Sequence, residues 1–77
     1  MVRIEFTIEP FVEGQPGAHV RAAIEAARAE GADVEFGPFG SSCEVDPGGA
    51  GSLVGAITDA ALANGATHVS VHVERVE

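Results

Sequence analysis

The stretch from Val34 to Asp46, V-E-F-G-P-F-G-S-S-C-E-V-D, constrains this chain most, because it sits between two alanine-rich segments that both read as helices. Two short apolar runs meet there at Gly37, Pro38 and Gly40, and turn chemistry between such runs predicts a hairpin. A strand-like run, Val2 to Glu9, opens the chain and another, His68 to Val76, closes it. The order is therefore strand, helix, two strands, helix, strand.

Each end strand alternates with the period of two expected of a half-buried sheet. Val2, Ile4, Phe6 and Ile8 interleave with Arg3, Glu5, Thr7 and Glu9, while Val69, Val71 and Val73 interleave with Ser70, His72 and Glu74. Pro10 lacks a ladder donor and ends the first strand. Phe11 to Gly17 reads as a loop. The first helix is expected near Ala18 to Glu30, with Val20, Ala23, Ile24 and Ala27 inward, Arg21 and Glu25 paired outside, and Gly31 as its stop. The second is expected from about Leu53 to Ala63, with Ser52 as N-cap, Asn64-Gly65 as exit and Leu53, Ile57 and Ala61 inward. Asp46 to Gly51 reads as a flexible loop between hairpin and helix.

This β-α-β-β-α-β order predicts an α+β fold, the ferredoxin-like sandwich: a four-stranded antiparallel sheet with two helices on one face. The first and third strands should be central, with the fourth beside the first and the second beside the third. Arg3, Glu5, Thr7, Glu9, Ser70, His72 and Glu74 then line a sheet face open to solvent, a second subunit or a ligand.

Seventy-seven residues make a single domain, 1–77, which buries only about 60% of its unfolded surface. Association of protomers adds the apolar burial that one small core lacks, so a homo-oligomer, a dimer or tetramer through the sheet, is expected. A formal net charge of −8 and the absence of lysine make nucleic acid and anionic membranes poor partners, and an acidic protein of this kind suits a cationic small molecule better. No membrane insertion is expected, since no apolar run is long enough to span. One cysteine, Cys43, excludes an internal disulfide and, with no signal peptide evident at the N-terminus, points to a cytoplasmic location.

Three segments, V-R-I-E-F-T-I-E-P, V-E-F-G-P-F-G-S-S-C-E-V-D and H-V-S-V-H-V-E-R-V, together resemble the YkoF-like thiamine-binding protein family. The likeness spans nearly the whole chain, including the strand-proline start and the G-P-x-G turn. Gly40-Ser41 stands where many relatives have Gly-Thr, Glu44 matches an acidic position of the third strand, and the loop Pro47 to Gly51 is longer than the family's short turn. The resemblance implies a small ferredoxin-like domain that assembles through its sheet. It also implies non-enzymatic binding of thiamine or its hydroxymethylpyrimidine moiety, in support of uptake, salvage or buffering.

Thiamine presents a cationic thiazolium, a flat aminopyrimidine and a hydroxyethyl tail. Its binding calls for a negative or π-rich patch, a slot and a few hydrogen-bonding groups. Thr7, Glu9, Phe11, Phe39, Ser41, Ser42 and Glu44 are of those types, several of them near strand ends, and form the candidate ligand-binding set. Each also has an ordinary role: Phe39 suits a core or an interface, and Glu44 a solvated or paired carboxylate. The competing reading is a structural or regulatory module that pairs its open sheet face with another protein.

No cofactor, metal or catalytic residue is expected. Residues four apart on a strand lie about 13 Å apart, so His68 and His72 cannot share an ion. His72 and Glu5 make a better pair across strands but are only two donors, short of the usual three or four. His19 reads as an exposed residue at a helix start. Gly48, Gly49 and Gly51 lack the lysine and spacing of a phosphate loop and supply turn flexibility instead. Cys43 has neither a nearby histidine nor a second cysteine and reads as a small buried filler.

Overall fold

A computed structural model describes residues 1–10, 17–37 and 40–76. The expected order is present as β1 (Val2–Glu9), α1 (Ala18–Ala29), β2 (Glu35–Gly37), β3 (Gly40–Val45), α2 (Ala50–Ala63) and β4 (His68–Arg75). The four strands form one sheet in the order β2-β3-β1-β4, with every neighbouring pair antiparallel. Two helices back one face of it, the ferredoxin-like arrangement that the pattern of apolar residues predicts.

Register explains how the faces are sorted, since residues directly opposite in neighbouring strands point to the same side. Ile4 lies opposite Cys43 and Val73, and Phe6 opposite Ser41 and Val71, so these belong to the helix side. There Ile4, Phe6 and Ile8 pack with Ala23, Ile24 and Ala27 of α1 and with Leu53, Ile57 and Ala61 of α2. The alanines let both helices lie close to the sheet. Arg3, Glu5, Thr7 and Glu9 face the other way, opposite Glu44, Ser42 and the outward residues of β4.

Both helices end alike. After α1, Gly31 N–H donates to the Arg28 carbonyl and Ala32 N–H to that of Ala27; after α2, Gly65 and Ala66 repeat the pattern to Leu62 and Ala61. These paired bonds satisfy carbonyls that the helix itself leaves free. Gly31 and Gly65 hold the positive φ that the motif needs.

The start of α2 differs from the expected loop and cap. Pro47–Gly49 winds into a 3-10 turn that runs directly into the helix at Ala50, so Ser52 is a first-turn residue rather than the N-cap. A proline at the head of such a turn loses no helical bond because its missing N–H has no partner there. Ser52 Oγ instead donates to Glu30 Oε1, tying the start of α2 to the end of α1. Arg21 and Glu25 make no ion pair; among the described residues the ion pairs are those of Arg3.

His19 is not exposed. It is 7% accessible, and its Nε2 lies 2.7 Å from the Pro10 carbonyl oxygen, joining the first turn of α1 to the end of β1. No described helix is long and apolar enough to cross a membrane.

Candidate functional site

The open face of the sheet is a carboxylate- and hydroxyl-bearing surface, and it carries a concavity of about 580 Å³ centred on β1. Glu5 and Thr7 of β1, Glu35 of β2, Ser42 of β3, and Ser70 and His72 of β4 contribute side chains of this face. A second depression of about 490 Å³ adjoins it toward β2 and β3 and is lined by Arg3, Asp33 and Glu44 together with the shared Glu5, Glu35 and Ser42. Arg3 crosses this surface, 3.4 Å from Glu44 Oε2 and 3.8 Å from Glu74 Oε1. One guanidinium therefore stands among five carboxylates of the face (Glu5, Glu9, Glu35, Glu44 and Glu74).

Of the sequence-predicted residues, Thr7, Ser41 and Ser42 line the larger concavity, and Ser42 and Glu44 the smaller. Glu9 shares the face but lies at the far end of β1 opposite His68, outside both depressions; its carbonyl accepts the Thr67 N–H at 2.8 Å. The period of two turns the side chains of Ser41 and Ser42 to opposite faces of β3, although both residues border the larger concavity. Ser41 is the one on the helix side, opposite Phe6 and 5% accessible. Phe11 and Phe39 lie outside the described residues.

Sequence reading missed Glu35; Glu5, Ser70 and His72 it placed on the open face but outside the ligand-binding set. The signal for Glu35 was present in the hairpin: pairing Gly37 with Gly40 sets Phe36 opposite Ser41 and Glu35 opposite Ser42, on the open face. Phe36, the residue between, is a 55% exposed aromatic at the edge of the sheet and borders the larger concavity.

Cys43 lies on the helix side within the core, and burial pushes its thiol pKa up because the thiolate is poorly solvated there. That disfavours the nucleophilic form. His68 and His72 both face outward on β4, with His68 Nδ1 3.0 Å from Thr67 Oγ1. His72 instead stands beside Glu5 and Glu74, their potential ligand atoms all within 4.8 Å of one another.

No protein-family model matches the chain, and no curated protein matches it. Among solved structures it is similar to a domain of unknown function, DUF77, from Bacillus cereus, with 22% identity and a TM-score of 0.68 over 95% of this chain and 71% of that one. It is likewise similar to the hypothetical protein MJ1052 from Methanocaldococcus jannascii, with 24% identity and a TM-score of 0.64 over 99% of this chain and 81% of that one. These likenesses establish the ferredoxin-like fold.

Proposed function

We propose that this protein binds thiamine or its hydroxymethylpyrimidine moiety, without catalysis, through the open face of its sheet. The observation that carries the reading is the larger concavity, where Glu5 and Glu35 offer negative charge beside the hydroxyls of Thr7, Ser42 and Ser70. A thiazolium cation fits the carboxylates, and an aminopyrimidine, which both donates and accepts, fits the hydroxyls and His72. The resemblance of the three strand segments to thiamine-binding relatives supports the same class of ligand.

Calorimetric titration with thiamine and with hydroxymethylpyrimidine tests this directly. Saturable binding is expected, weakened about tenfold by Glu35→Gln and by Ser42→Ala, each of which removes one polar contact. Both side chains lie on the sheet surface, so the fold should be retained. Absence of heat for either ligand at millimolar concentration rejects the reading.

The second reading, assembly with a protein partner or another copy through the sheet, draws on a different observation. β2 and β4 are the sheet's edges, and Val73 on β4 is 47% exposed although it belongs to the apolar side. Edge strands with free backbone groups are common pairing sites. Sedimentation in the absence of ligand distinguishes the two, because ligand capture by one chain requires no association.

A further inference from the structure

We propose that Glu5, His72 and Glu74 form a binding site for a divalent transition cation of the zinc, cobalt and nickel class. Glu5 lies directly opposite His72 across the β1–β4 ladder, and Glu74 follows His72 by two residues, on the same face. In a pleated sheet these are nearest neighbours, one directly across and one along the strand. Their side chains converge, so that one ligand atom from each lies within 4.8 Å of the other two. Around a tetrahedral ion with bonds of about 2.1 Å, ligand atoms sit roughly 3.4 Å apart. Closing that difference takes small rotations of exposed side chains and no movement of the strands.

The chemistry of the donors selects the cation. One imidazole nitrogen and two carboxylate oxygens form a borderline set that favours transition ions over magnesium or calcium, whose sites are built from oxygen alone. Three protein ligands leave a position for water, as in open zinc sites. None of the three donors hydrogen-bonds to another side chain among the described residues, and Glu74 has only the 3.8 Å approach of Arg3. Glu44 and Glu35 on the same face add negative potential. The sequence pairs His72 with Glu5 across strands but offers only two donors; the third, Glu74, lies two residues along β4 from His72 on the same face.

Glu5 and His72 also line the hollow proposed for the organic ligand, so the inference is tested with metal alone, in the absence of that ligand. Metal-free protein is titrated with cobalt, read by its visible absorption, and then with zinc by calorimetry. One equivalent per chain is expected, with affinity lowered about tenfold or more by His72→Ala and by Glu5→Gln, since even outer-shell losses cost that much. His68→Ala, too far along β4 to share the ion, and Cys43→Ser, on the helix side of the sheet, should leave the affinity unchanged. Circular dichroism of each variant checks that the sheet persists. Failure of cobalt and zinc to bind at millimolar concentration overturns the proposal. So does affinity that survives His72→Ala, that is lost equally in His68→Ala, or that magnesium matches.

Discussion

A histidine ring lies over Gly17, and that contact makes two residues interdependent. A Cβ added at Gly17 would come within 2.6 Å of the His19 ring, which is held in place by its bond to the Pro10 carbonyl. The backbone of Gly17 is extended, with φ −74° and ψ 175°, so alanine meets no conformational barrier there and the obstacle is steric. Gly17→Ala should cost about 1–2 kcal/mol of stability in urea unfolding, chiefly by displacing the ring and leaving the Pro10 carbonyl unpaired. His19→Ala should cost a similar amount. The double variant should cost clearly less than the sum, because once the ring is gone the added methyl meets nothing; strict additivity would show the contact to be absent in solution. Cys43 gives a second prediction, on pH. Burial raises its folded-state pKa above that of the unfolded chain, so its contribution is complete below the unfolded thiol's pKa and is lost as pH climbs through the folded value. Urea midpoints should therefore fall in alkaline solution, and Cys43→Ala should flatten that fall while lowering stability at neutral pH.

The elements were legible where a period and its punctuation agreed. β1 runs Val2–Glu9 because four apolar residues alternate up to a proline, and both helices stop where a glycine follows the last inward alanine. The start of α2 was not, because Ser52 resembles a cap while Pro47 can begin a helical turn, and the sequence alone does not rank two starts that each satisfy backbone groups. The burial of His19 was hidden for a related reason: its partner is a backbone carbonyl at the end of another element. The candidate site was half legible. Hydroxyl and carboxyl residues stood out by type, yet Ser41 and Ser42 separate to opposite faces, and Glu35 joins only through register. Gly40 shows what register demands of a strand. Its φ is +154°, and an added Cβ would sit 2.9 Å from Thr7 Cγ2 and 3.1 Å from the Phe6 carbonyl oxygen. Gly40→Ala should then cost about 1–3 kcal/mol, from strain alone, and more if β1 cannot yield. An unchanged urea midpoint would mean that β3 starts elsewhere.

Across the whole molecule, charge decides how two copies can meet. The open face carries Glu5, Glu9, Glu35, Glu44 and Glu74 against Arg3, which is already engaged by Glu44 and Glu74. Stacked sheets lie about 10 Å apart, a separation close to the Debye length of about 8–10 Å at ordinary ionic strength. Bringing two such faces together therefore sets like charges at a distance where salt matters. Assembly through that face is expected to be weak at low salt and to strengthen as salt screens it, or when Glu9→Gln and Glu35→Gln remove two charges from each copy. Pairing along the β4 edge should respond differently, because backbone hydrogen bonds and the exposed Val73 dominate there and the acidic residues stand to one side. Sedimentation across a salt series separates the two geometries. Association that rises with salt and with charge removal identifies the open face as the contact, whereas association indifferent to both but lost in Val73→Lys assigns it to the edge and leaves the carboxylate face free for a cation.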